Sequence, residues 1–152
     1  MSTFQTSPPS ILKAQNGQAL DEFIEKLQIE LSLYQLAEPL KKTGLTIRNL
    51  SNCLIVKAHG ITLHSKSDHI WLNENTLTGR IQFLLAGNTD LEKNVFYTIL
   101  IDNLGNIGHG ELTHHFSSRF TGTDAAEIIE TLRRVVTGLL NAIHELIPNE
   151  NI

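Results

Sequence analysis

The segment Val95 to Phe116, VFYTILIDNLGNIGHGELTHHF, constrains the fold more than any other. Asp102-Asn103-Leu104-Gly105 has the residues of a type I turn closed by a glycine bulge. Aspartate at the first position can bond the backbone ahead of it, and glycine takes the left-handed conformation that a Cβ resists. Such a turn fixes the register of the hairpin. Asp102 then faces Asn106, Ile101 faces Ile107, Ile99 faces His109 and Tyr97 faces Glu111. Alternation puts Tyr97, Ile99, Ile101, Ile107, His109 and Glu111 on one side of the ribbon. Phe96, Thr98, Leu100, Gly108, Gly110 and Leu112 fall on the other. A strand glycine marks close approach of another backbone or a ligand, so the Gly108–Gly110 strip is expected to seat a helix. The Tyr97–Glu111 side, half apolar and half polar, is expected to be either a second covered face or a concave site.

The remaining segments read as things that pair with this hairpin or pack on it. Residues 1–17 are rich in Ser, Thr, Gln and Pro and are expected to form a disordered tail. Residues 18–152 are expected to form a single α+β domain. From Gln18 to Glu38 the apolar side chains Leu20, Phe23, Ile24, Leu27, Leu31 and Tyr34 recur at helical spacing, and Pro39 ends the pattern. Ile29, Leu33, Leu36 and Leu40 form a second stripe on the opposite side of that helix. Strand-like runs follow. Leu45–Leu50 and Cys53–His64 are joined by a turn at Ser51-Asn52, and Gly60 sits at a bulge or bend. A polar loop is expected over Ser65–Asp68, a short strand over His69–Leu72, and another strand over Leu77–Ala86. Asp124, with Glu127 three residues on, resembles a capping box at the start of a long helix running to Ile147. Its apolar stripe includes Ile128, Leu132, Val135, Val136, Leu139 and Ile143, and Glu130 and Arg134 can pair one turn apart. The helix would span about 36 Å, longer than a strand of ordinary length. The expected fold is α+β. An antiparallel sheet of five to six strands in meander order is flanked by a helix at about 18–38 and another at about 124–147.

Charge and cysteine usage narrow the functional classes. A net charge of −4 over 152 residues argues against nucleic-acid binding and against an anionic membrane surface. Cys53 is the only cysteine, so there is no intrachain disulfide framework and no paired-cysteine metal motif. No signal-peptide pattern and no apolar run of membrane-spanning length occur, and a cytoplasmic location is expected.

Seven histidines are the first candidates for chemistry. His109 and Glu111, two apart on one strand, share a face about 6.8 Å apart, a gap that a single metal ion can bridge. His115 would lie about 20 Å from His109 along a straight strand, and His114 would point the other way. A metal centre would therefore need His59 or His64 as well. Solvated strand histidines are the simpler expectation, so no metal and no cofactor are assigned. No GxSxG elbow, Walker A loop or zinc-deaminase PCxxC accompanies these residues.

Two functional expectations follow. The first is a non-enzymatic protein-binding module, such as a small cytoplasmic chaperone, inhibitor or immunity-type protein. It would bind a protein partner or a second copy of itself through Ile29, Leu33, Leu36 and Leu40, because contiguous exposed apolar patches mark interaction sites. In element order, size and acidity the chain resembles bacterial secretion chaperones, a likeness at the level of fold alone. The alternative is a small-molecule-binding module or metal-assisted hydrolase using Tyr97, Ile99, His109 and Glu111.

Overall fold

In the computed structural model, the described residues are 9–34, 42–51, 53–72, 76–87, 95–110, 116, 118–120 and 124–150, without the side chains of 9–13 and 118–119. Helix α1 (Pro9–Tyr34) leads into strands β1 (Thr46–Leu50), β2 (Cys53–Ala58), β3 (Ile61–Leu72), β4 (Thr76–Leu85), β5 (Val95–Ile101), β6 (Asn106–His109) and β7 (Ser118–Arg119), and helix α2 (Ala125–Leu146) follows. The strands form one curled antiparallel sheet in sequence order. The α+β meander between two helices is therefore as expected, with the two-residue β7 added at the edge.

Turn chemistry explains the meander. At β5–β6, Gly105 adopts φ 80. Its N–H donates to the Asp102 carbonyl at 3.1 Å, and the Asp102 N–H donates to the Asn106 carbonyl at 3.0 Å. The Asp102 carboxylate accepts from the backbone N–H groups of Leu104 and Asn106, each at 2.9 Å. The resulting register pairs Ile101 with Ile107 and Ile99 with His109, as the turn residues imply. Leu50 faces Cys53 across the expected turn at Ser51.

Between β2 and β3 the chain behaves differently from the expectation. His59 (φ 53) and Gly60 (φ 78) make a two-residue hairpin turn of the kind that needs two left-handed residues, and Ala58 faces Ile61. Strand β3 then runs unbroken through Ser65–Asp68, where a loop was expected. Its polar side chains are satisfied by neighbouring elements. The Ser65 hydroxyl accepts from the Leu54 N–H at 2.8 Å. Ser67 accepts from the amide of buried Gln28 on α1 at 3.3 Å, and Asp68 accepts from Arg80 Nε on β4 at 2.8 Å.

Both helices cover the same side of the sheet. Ile47, Leu54, Val56, Leu63, Ile81, Phe83, Tyr97, Ile99, Ile101 and Ile107 share one core with Ile24, Leu27 and Leu31 of α1 and with Leu132, Val135, Val136, Leu139 and Ile143 of α2. Of the Gly108–Gly110 strip, expected to seat a helix, Gly108 does not, while Gly110 abuts the Tyr97 ring on the helix side. Gly108 faces away from the helices, with Leu84, Leu100 and Thr78, all three of which are also buried. Close helix approach occurs at other glycines. Gly79 lies under Ile24, where an added Cβ would stand 3.0 Å from the Ile24 Cδ1.

Helix α1 starts at Pro9, within the stretch expected to be a tail. Proline suits the first helical position, and Gly17 is carried inside the helix because the His69 ring occupies the place of a side chain, 3.3 Å from where its Cβ would be. Residues 1–8, the region around Pro39 and residues 73–75 lie outside the described residues. Helix α2 is capped by Asp124, whose carboxylate accepts from the Ala126 N–H at 3.0 Å. No helix among the described residues is long and apolar enough to cross a membrane.

Candidate functional site

An open cleft of about 590 Å³ lies where β5 and the end of β6 meet the C-terminal half of α2. Strand β5 contributes Val95, Phe96, Tyr97 and Thr98. His109 and Gly110 close one end, and α2 supplies Gly138, Asn141, Ala142 and Glu145. Consecutive strand residues can share this wall because the ladder slips. Phe83 faces Tyr97 but Leu84 faces Val95, so Phe96 is the extra residue of a β-bulge. The α2 residues share a wall because spacings of three, four and seven return to one side of a helix.

Tyr97 and His109 form the polar floor. Their Oη and Nδ1 atoms lie 2.5 Å apart. The Tyr97 ring is backed by Phe83, with ring centroids 6.1 Å apart. Burial pushes the Tyr97 hydroxyl well above its ordinary pKa, so it stays a phenol. Burial also lowers the His109 pKa, and the positive charge of Arg134 lowers it further. Both groups are thus held neutral. In that state one proton lies between them, the phenol O–H donating to Nδ1 in one imidazole tautomer and Nδ1–H donating to the phenol oxygen in the other. In either form the pair can offer a ligand one hydrogen-bond donor and one acceptor. Asn141 adds an amide and Glu145 a carboxylate, both exposed to solvent, while Val95, Phe96 and Ala142 supply apolar surface.

Arg134 reaches this electrostatic role through α2. It lies one turn before Gly138 and is hydrogen-bonded to Glu130, as its spacing implies, at 3.2 Å. Glu130 also accepts from Arg133 Nε at 2.9 Å, and these arginines hold its carboxyl at about 2, below the usual range.

Of the residues that the sequence singles out, Tyr97 and His109 come together at this cleft. Ile99 faces His109 across the ladder but is fully buried in the core and does not line the cleft. Glu111 lies outside the described residues, as do His114 and His115. The other described histidines do not join His109. His64 is on the side of the sheet away from the helices, His69 bonds to Asp21 at 2.7 Å, and His59 meets His144. Among the described residues no group of three metal-ligating side chains converges. On α1, Ile29 and Leu33 are 42% and 58% exposed, while Leu36 and Leu40 lie outside the described residues.

Gly138, Asn141 and Glu145 carry no motif and were not legible as site residues. One signal was present: a glycine inside an otherwise strongly helix-forming segment. At Gly138 an added Cβ would stand 2.6 and 2.7 Å from Tyr97 Cε1 and Cζ, so the missing side chain is what lets α2 rest on the tyrosine. Fold and site together define an α+β protein, helix–meander–helix, with an open cleft between sheet and C-terminal helix. No family model, no curated protein and no solved structure matches the chain.

Proposed function

We propose that the chain is a small-molecule-binding module whose ligand sits in the cleft over Tyr97 and His109. The observation that carries this reading is the cleft itself, whose volume of about 590 Å³ falls in the range of small-molecule sites. Such sites combine apolar walls with a few placed polar groups. Here the walls are Val95, Phe96 and Ala142, and the polar groups are the Tyr97–His109 pair with Asn141 and Glu145. The chemistry fits an uncharged or cationic amphipathic molecule. Its apolar body would lie against Phe96 and its polar head would bond the Tyr97–His109 pair, with Glu145 beside it for a cationic head.

The test is a ligand-observed NMR screen with aromatic and alicyclic fragments carrying one amide or amine. Fragments that bind should move the Tyr97 and His109 ring resonances. Removing the pair in Tyr97→Phe/His109→Gln should weaken them by roughly tenfold, the worth of one or two hydrogen bonds. Binders that leave both rings unmoved, or that bind the double variant as tightly as the wild type, would refute it.

A second reading rests on a different observation. Ile29 and Leu33 are large apolar side chains presented to solvent on the side of α1 that turns away from the sheet. They suit a protein partner or a second copy of the chain, as a binding module of the chaperone, inhibitor or immunity type would use.

A further inference from the structure

We propose that His59 and His144 form a two-histidine site for a divalent late transition-metal ion such as zinc. The proposal is independent of the cleft and of any ligand there. His59 lies in the β2–β3 turn and His144 in the last turn of α2, and their Nε2 atoms face each other at 3.3 Å. Two nitrogens bound to one tetrahedral zinc ion at about 2.0–2.1 Å each stand about 3.3–3.4 Å apart. The separation between these two nitrogens is therefore the bite that such an ion requires.

Ring placement supports the same conclusion. If both Nε2 atoms point at one ion, each ring centre lies about 3.2 Å from it, and tetrahedral geometry sets the centres about 5.2 Å apart. The observed separation is 5.1 Å, with the rings tilted by 53°. Two imidazoles joined end to end by a straight N–H···N bond of the observed length would have centres about 5.6 Å apart. The two rings thus meet at an angle rather than end to end, as binding to one ion requires. Nε2 is also a usual ligating atom of neutral imidazole, which leaves each Nδ1–H to solvent.

Location adds a further argument. The last turn of a helix carries the partial negative charge of its unpaired carbonyls, which favours a cation. Both side chains are exposed, so an ion has direct access. Among the described residues no third histidine, cysteine or carboxylate completes the set, so water would fill the remaining positions. Imidazole with open positions suits zinc, copper and nickel rather than magnesium or calcium. A bound ion would tie together two elements 85 residues apart, the β2–β3 turn and the C-terminal end of α2.

The experiment uses the full chain without a histidine tag, stripped of metal and titrated with zinc chloride. Calorimetry should give one saturable ion per chain, and side-chain NMR should show the His59 and His144 nitrogens moving while those of His64, His69 and His109 stay. His59→Asn and His144→Gln should each weaken binding by at least tenfold. Asparagine is chosen because it tolerates the left-handed conformation at position 59, so the turn is kept. The wild-type thermal midpoint should rise with zinc concentration, and the midpoints of the variants should not. Absence of saturable binding overturns the proposal, as does zinc binding that leaves the His59 and His144 resonances unmoved.

Discussion

Tyr97 and His109 are buried enough to be kept neutral, and this makes the cleft's polar floor sensitive to acid. The sign follows from linkage. The unfolded chain takes up a proton on His109 near the ordinary value of 6.5, whereas the folded chain resists it, because burial and then Arg134 lower the folded pKa. The contribution of His109 to stability is therefore complete above 6.5. It drains away as pH falls from there through the lower folded value. Glu130 stays ionised throughout, since its carboxyl is held at about 2, so the setting of Arg134 does not change over that window. His109→Gln removes the titration but leaves an acceptor for the Tyr97 hydroxyl. Thermal unfolding followed against pH should show the wild type losing stability more steeply than His109→Gln below 6.5. The two proteins differ at this residue alone, so the comparison isolates it. Parallel curves would mean that folding does not perturb His109.

Among the elements, the seating of α2 on the sheet depends on Gly138. Replacing it with alanine gains about 1 kcal/mol of helix propensity. Against this, the new Cβ would stand 2.6 and 2.7 Å from two carbons of a ring that Phe83 backs and His109 holds. Overpacking of this sort costs about 1–3 kcal/mol, so Gly138→Ala should be destabilising by on the order of 1 kcal/mol in urea unfolding. In a Tyr97→Ala background the clash is gone, and the same substitution should be neutral or stabilising. An equal effect in both backgrounds would show that Tyr97 is not what Gly138 makes room for. Gly138 also illustrates what the sequence can and cannot disclose. Local chemistry was legible: Asp102 with Gly105 set the hairpin and its register, and Asp124 with the stripe of Leu132, Val135, Val136 and Leu139 set α2. Distances between elements were not. Gly138 lies on the polar side of that stripe and reads as a cost until α2 is seen against Tyr97. Ser65–Asp68 reads as a loop because its partners, Leu54, Gln28 and Arg80, come from three other elements. Gly108, taken as a helix seat, faces the wrong side, since nothing in one hairpin says which of its faces the helices choose.

For the molecule as a whole, one question is whether α1 presents a surface to a partner. Its inner stripe of Leu20, Ile24, Leu27 and Leu31 is buried, so the core does not need Ile29 or Leu33. A surface substitution away from core and caps changes stability by about 0.5 kcal/mol or less. Leu33→Glu should therefore leave the unfolding midpoint of the isolated chain nearly unchanged. If the exposed face is an interface between copies, light scattering should give a dimer mass for the wild type and a monomer mass for Leu33→Glu. Each buried leucine contributes about 1.5–3 kcal/mol to such an interface, and a carboxylate in its place would have to be desolvated without a partner. Fragment binding should survive the substitution, because α1 does not line the cleft. Two results would count against an interface between copies. A wild type that is monomeric at every concentration would reduce Ile29 and Leu33 to scattered surface apolars, which folded proteins commonly carry. Strong destabilisation by Leu33→Glu would make Leu33 part of the core, which its 58% exposure opposes.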